Sequence, residues 1–131
     1  MANQATGASA MNTWAEEPFA EQEGAPKLTR AHGSDFYHGQ LEGEAFFEYL
    51  MFYAEDGVTT YVGLIRFVGR LGDRAGSFVM QIRGTHQEGL VKAALTIEPG
   101  SGTRDLREIR GMGELRWEGA DGSVTLDYDL E

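Results

Sequence analysis

The chain has 131 residues and a formal net charge of -10, from 21 acidic and 11 basic residues. Because a field of this sign repels phosphate, we expect neither nucleic acid nor an anionic membrane as a partner. The chain contains no cysteine, which excludes disulfides and thiol nucleophiles. Its hydrophobic fraction of 41% is that of a globular protein, and its length predicts one domain.

The first residues are small and polar, and they predict a disordered tail over residues 1–10, followed by a single domain over residues 11–131. They lack the charged start and the apolar stretch of a secretory signal. No apolar run approaches the roughly 20 residues that a membrane-spanning helix needs. We therefore expect a cytoplasmic protein.

Short runs of aromatic and β-branched residues alternate with turn signals such as Asp56-Gly57 and Asp121-Gly122. The predicted strands are Asn12–Ala20, Lys27–Tyr37, Gln40–Tyr53, Val58–Leu71, Gly76–Thr85, Leu90–Glu98, Gly113–Glu118 and Ser123–Leu130. Hairpin spacing of this kind is typical of an antiparallel barrel or sandwich. We predict an all-β closed barrel of about eight strands, because closing a sheet removes its edges.

A glycine-rich corner interrupts this pattern between Glu98 and Gly111. Ser101 and Thr103 are predicted to cap one short helical turn near residues 102–108. The Gly-Ser-Gly-Thr run is not followed by the Gly-Lys-Ser/Thr of a phosphate loop, so it indicates a structural corner.

Alternation along the strands predicts which side chains face the barrel interior. The aromatic side chains with a polar tip on those faces are the predicted ligand-binding residues, namely Tyr49, Tyr53, Tyr61, Trp117 and Tyr128. A barrel of this size either fills its interior with side chains or holds one small ligand. The sequence leaves both alternatives open.

Two neighbouring strands also carry apolar side chains on their other face, namely Phe46, Leu50, Phe52, Val62, Leu64 and Val68. An exposed apolar patch of this kind is typical of a subunit interface, so we predict a homo-oligomer. The alternative is that the N-terminal segment or the corner helix covers the patch.

Recognisable catalytic and cofactor motifs are missing from the sequence. His32, His38 and His86 lack the spacing of a metal site. No serine lies in a nucleophile motif, and no cofactor motif occurs. We therefore predict no metal and no cofactor.

Several segments carry a family resemblance: Trp14–Phe19, Gly69–Gln81, Pro99–Thr103 and Leu126–Leu130. From about Asn12 onward the chain resembles an uncharacterised bacterial family, domain of unknown function 3224, although Arg104-Asp105 departs from its usual Gly-Glu. The resemblance implies a small antiparallel barrel like that of allene oxide cyclases and dirigent proteins. A fainter similarity to allene oxide cyclase itself places Glu17 where that enzyme has its carboxylate, which makes Glu17 a weak catalytic candidate.

The leading hypothesis for function is a barrel that binds a small apolar ligand in its interior and assembles as a homo-oligomer. One alternative is a cofactor-independent cyclase or isomerase acting on an apolar, oxygenated substrate, with shape and one proton transfer supplying the catalysis. Another is a purely structural or interaction module. The sequence leaves open whether the protein is an enzyme.

Overall fold

Eight antiparallel strands, each hydrogen-bonded to the next in chain order, form a closed barrel in the structure, a computed structural model that describes residues 3–130. The strands are β1 (Asn3–Pro18), β2 (Lys27–Gly39), β3 (Leu41–Tyr53), β4 (Thr59–Leu71), β5 (Arg74–Gln87), β6 (Leu90–Ile97), β7 (Arg110–Glu118) and β8 (Asp121–Asp129). This confirms the all-β barrel predicted from the sequence. No helix in the described part of the chain is long and apolar enough to cross a membrane.

The barrel closes through the N-terminal half of β1, which pairs with β8 on one side and with β2 on the other. The prediction of a disordered tail is therefore wrong for residues 3–10, while Met1 and Ala2 lie outside the described residues. Ala5 and Ser9 are buried in this strand. Backbone hydrogen bonds to β2 and β8 hold this segment in place. Because backbone groups make these bonds whatever the side chains are, the sequence shows no hydrophobic alternation here.

A β-bulge in β1 changes which of its residues face the interior. The register with β2 shifts between Met11, opposite Asp35, and Thr13, opposite Ser34. Beyond this shift Trp14 faces inward, where its ring centroid lies 5.5 Å from that of Phe47. One extra residue in a bulge reverses the facing of every residue that follows.

Inward-facing side chains of the strands form one continuous core. Tyr49, Tyr61, Phe67 and Leu95 are buried, as the alternation predicts. Phe67 packs against Phe78 of the next strand at a centroid distance of 5.3 Å. The interior is therefore lined largely by aromatic and aliphatic groups.

The predicted helical turn is present as a single 3-10 turn over Arg104–Leu106. Thr103 makes no side-chain capping bond there, so its predicted capping role is wrong. Its Oγ1 instead accepts a hydrogen bond from the Ser77 backbone at 3.0 Å, and Ser101 Oγ accepts one from Val79 at 2.9 Å. These bonds fasten the corner to β5 and hold Leu106, which is fully buried, in the core.

The outer apolar patch on β3 and β4 is exposed in the described chain, so the alternative that the N-terminal segment or the corner turn covers it is wrong. Its members have exposed fractions from 40% to 53%, namely Phe46, Leu50, Phe52, Val62, Leu64 and Val68. A groove of about 510 Å³ runs across the patch beside Phe19.

Candidate functional site inside the barrel

Aromatic rings from β2, β3 and β4 line one side of the interior. Tyr49 stacks on Phe47 at a centroid distance of 4.4 Å and meets Tyr61 at 4.9 Å. Tyr37 stacks on Phe67 at 5.7 Å. The three tyrosines therefore bring three hydroxyl groups into an otherwise apolar wall.

Asp35 of β2 adds a carboxyl group to this wall. Its side chain is only 7% exposed, and it makes no hydrogen bond to any group within residues 3–130. Burial disfavours the charged form of a carboxyl group. It raises the pKa of Asp35 from its ordinary value of 3.8 to about 6.

Burial, with a smaller contribution from the charge of Asp35, raises the pKa of all three tyrosines. Burial, and then the Asp35 charge, raise the pKa of Tyr61 to about 12. Burial raises the pKa of Tyr37 further still, with contributions from Asp35 and Tyr61. Burial also raises the pKa of Tyr49, with contributions from Tyr37, Tyr61 and Asp35. The hydroxyls thus stay protonated at neutral pH and can donate hydrogen bonds.

Two fully enclosed oxygen atoms beside this cluster have no protein partner. They are Tyr37 Oη and Ser9 Oγ, which make no hydrogen bond to the described residues. Ser9 and Tyr37 lie opposite each other on β1 and β2. A buried polar group without a partner costs about 1–3 kcal/mol. Such groups in a folded protein usually bind water or a ligand.

A second polar cluster surrounds Glu16, which faces inward beyond the bulge. Its carboxylate accepts hydrogen bonds from Thr29 Oγ1 at 2.7 Å, from Trp14 Nε1 at 3.2 Å and from the Tyr53 hydroxyl. Lys27 Nζ lies 4.3 Å from the centre of the Tyr53 ring. Partial burial raises the pKa of Glu16, but these hydrogen bonds and the Lys27 charge outweigh it and hold that pKa below its ordinary value. Glu16 is therefore a satisfied carboxylate that ties β1 to β2 and β3.

The structure divides the residues predicted to bind a ligand. Tyr49 and Tyr61 are buried, and their rings contact each other in the interior. Tyr53 is partly buried, and its hydroxyl already donates to Glu16. Trp117 and Tyr128 are partly buried against the core, and neither ring contacts the tyrosine cluster in the part of the chain described.

Glu17, the weak catalytic candidate, lies on the outer face of the barrel. It is exposed and pairs with Arg30, whereas its neighbour Glu16 pairs with the buried Ala31. The bulge at Met11–Thr13 accounts for this, because it exchanges the inward and outward positions. Among residues 3–130 the structure shows no contact of Glu17 with the interior, and a catalytic role for Glu17 stays a prediction.

Among the interior groups missed from the sequence are Asp35, Tyr37 and Ser9. A signal existed for the first two. Asp35 and Tyr37 share the parity of Ala31 on the predicted strand Lys27–Tyr37, so alternation places both inside. Ser9 carried no usable signal, because it lies in the segment predicted to be disordered.

Fold and site together define a small closed antiparallel barrel with an aromatic interior that contains unpaired polar groups. The family described as "Protein of unknown function (DUF3224)" matches residues 5–130. The chain therefore belongs to this family. No curated protein matches it.

A solved structure from the same family has a similar fold. It is that of a protein with unknown function from Shewanella oneidensis MR-1, which is 25% identical. The similarity covers 100% of this chain and 99% of that chain, with a TM-score of 0.82. This agreement extends the barrel architecture to a second member of the family.

Proposed function

We propose that the protein binds a small, largely apolar molecule carrying a hydrogen-bonding oxygen atom inside the barrel. The observation that supports this most strongly is the pair of enclosed hydroxyl oxygens without a protein partner in residues 3–130, Tyr37 Oη and Ser9 Oγ. Each is costly to bury alone, and a ligand oxygen placed among them relieves that cost. The surrounding rings of Phe47 and Phe67 favour an apolar ligand body.

A matched pair of probes tests this proposal. Cyclohexanone and cyclohexane have nearly the same shape, but only the ketone offers an oxygen acceptor. With methyl-labelled protein, we expect cyclohexanone to shift the NMR signals of interior methyls such as Ala31, Ala45 and Ile65, and cyclohexane to bind more weakly. A Tyr37→Phe, Tyr61→Phe variant should lose this preference. Shifts confined to Leu50 and Leu64 on the outer patch would contradict the proposal.

We further propose that the protein is a homo-oligomer that uses the outer patch of β3 and β4. Exposed apolar patches of this extent are typical of interaction surfaces. The charges around it are self-complementary: Glu44 and Glu48 project from the outer face of β3, and Arg66 and Arg70 from that of β4. A two-fold axis between the two strands pairs the acidic row of one copy with the basic row of the other.

The proposal keeps the cytoplasmic location expected from the sequence. It assigns no metal and no cofactor to the site, because the interior groups that support it are hydrogen-bonding ones. A purely structural module is the competing function. A structural module would have an interior that binds no small molecule. Cyclohexanone would then leave the NMR signals of the interior methyls unshifted.

A further inference from the structure

Two cations on the outer face of β5 and β6 have no acidic partner. Arg83 and Lys92 are both exposed, and neither makes a hydrogen bond or an ion pair with any group in residues 3–130. Val62 and Ala94 lie opposite Arg83 on the two neighbouring strands. Arg116 of β7 lies opposite Lys92 and adds a third positive charge. In a chain with 21 acidic and 11 basic residues, these side chains therefore form a local positive site.

The two cations lie at one end of the groove on the outer patch. This groove of about 510 Å³ is lined by Arg83 and Lys92 together with the exposed apolar side chains of Leu50, Phe52 and Val62. Pockets that bind small molecules typically measure about 300–1,000 Å³. The groove is therefore large enough for one small ligand.

The lining of the groove changes from apolar to polar across the strands. Leu28 of β2 lies opposite Phe52 of β3, which lies opposite Thr60 of β4. Thr60 in turn lies opposite Thr85 of β5, and Thr85 lies opposite Lys92. One end of the groove thus offers alkyl and aromatic contacts, and the other offers hydroxyl and cationic donors. A ligand that matches both ends has an apolar tail and an anionic head.

The spacing of the strands sets the length of such a tail. Adjacent strands lie about 4.8 Å apart, so the path from β2 to β5 is about 14 Å, the length of an extended chain of about ten to twelve carbon atoms. The planar guanidinium group of Arg83 offers parallel N–H donors, which match the two oxygens of a carboxylate. The geometry therefore favours a carboxylate as the head group.

We propose that this groove binds a long-chain carboxylate, with its head on Arg83 and Lys92 and its alkyl chain over Leu50, Phe52 and Val62. The site is separate from the proposed interior site and does not depend on it. It shares Leu50 and Val62 with the proposed subunit interface. The ligand therefore competes with a second copy of the chain, a consequence that rests on that interface.

The net charge of -10 opposes an anionic ligand only at long range. Exposed charges more than about 8 Å apart are largely screened at physiological ionic strength. Glu114 and Glu118 flank Arg116 on β7, one strand beyond Lys92, and neither lines the groove. The contacts inside the groove therefore decide which charge it prefers.

Decanoate at concentrations below those at which it forms micelles tests the proposal by NMR of methyl-labelled protein. It should shift the methyl signals of Leu28, Leu50 and Val62. Decanol and decyltrimethylammonium have the same tail without the negative charge, and they should bind at least about tenfold more weakly. Hexanoate should also bind at least about tenfold more weakly, because each buried methylene group contributes up to about fourfold.

Paired substitutions test the role of the two cations. The double variant Arg83→Gln, Lys92→Gln should bind decanoate at least about tenfold more weakly and should lose the preference for decanoate over decanol. The control is Arg107→Gln, Arg110→Gln, which removes the same charge from exposed positions outside the groove. Its affinity for decanoate should equal that of wild type.

Equal affinity for decanol and decanoate would overturn the carboxylate assignment, and an unchanged affinity in Arg83→Gln, Lys92→Gln would overturn the role of the cations. Unshifted groove methyls at every protein concentration over a hundredfold range would contradict the site itself. Shifts confined to the interior methyls of Ala31, Ala45 and Ile65 would contradict it too, and they would support the interior site instead. Light scattering measures the competition, since decanoate should lower the mass of an assembly. Decanoate binding to a protein that is monomeric at every concentration would refute the interface and support the groove.

Discussion

The ring of Tyr61 on β4 lies directly over the backbone of Gly84 on β5. A β-carbon added at Gly84 would lie 2.8 Å from both Cζ and Oη of that tyrosine. Gly84→Ala should therefore displace the ring and cost about 1–3 kcal/mol in the free energy of unfolding, as other overpacked cores do. Denaturant unfolding measures this cost.

The control for that substitution is Thr85→Ala, on the outer face of the same strand, where the side chain is exposed. It should change the free energy of unfolding by less than about 0.5 kcal/mol. If the two variants are equally stable, Tyr61 does not depend on Gly84 for its position.

Asp35 makes the stability of the protein depend on pH. Its pKa rises from 3.8 in the unfolded chain to about 6 in the fold, so the folded state retains a proton that the unfolded chain has lost. The contribution of Asp35 to stability therefore falls as pH rises through this window, by about 3 kcal/mol. Asp35→Asn has no such loss. The free energy of unfolding of Asp35→Asn minus that of wild type should therefore increase between pH 4 and pH 7. A difference that stays constant with pH would contradict the raised pKa of Asp35.

The Glu16 cluster should stabilise the second half of β1. Because hydrogen bonds hold the pKa of Glu16 below its ordinary 4.5, its contribution is present above that value and is lost as pH falls through the folded-state pKa. At neutral pH, Glu16→Gln should cost up to about 1 kcal/mol, since the carboxylate is mostly exposed. It should also speed amide exchange beyond the bulge.

The adjacent Glu17→Gln is the matched control for this prediction. Glu17 lies on the outer face, so its substitution should leave amide exchange in β1 unchanged. Equal effects at the two positions would show that the bulge does not turn Glu16 inward.

The outer patch is predicted to hold copies of the chain together. Leu50 and Val62 lie opposite each other on β3 and β4. Replacing both with Asp buries unpaired charge in any interface formed there. The dissociation constant of the assembly should therefore rise at least about tenfold. Light scattering over a range of concentrations measures the mass. Met112→Asp on β7, which is 64% exposed, is the control and should leave it unchanged. A wild-type protein that is monomeric at every concentration would contradict the interface.

Much of the barrel follows from local sequence patterns. Alternation on β3 and β4 identifies Tyr49 and Tyr61 as interior and Leu50 and Val62 as exterior, because one face of each strand must pack against the core. The closing strand was missed over Asn3–Ala10, since small polar residues can pair by their backbone alone.

The interior site was predicted only in part. The tyrosines follow from parity, but the inward position of Glu16 does not, because a bulge shifts the register without any change in composition. The lack of partners at Asp35 and Tyr37 is a property of the closed tertiary structure. A sequence pattern can show that these residues face inward, but it does not show which groups they meet.

A high-resolution crystal structure of the protein at neutral pH would test the interior site most directly. We expect ordered water or a small molecule within hydrogen-bond distance of the Asp35 carboxyl group and Tyr37 Oη. A lumen filled by side chains, with Asp35 turned outward or bonded to another protein group, would contradict the account.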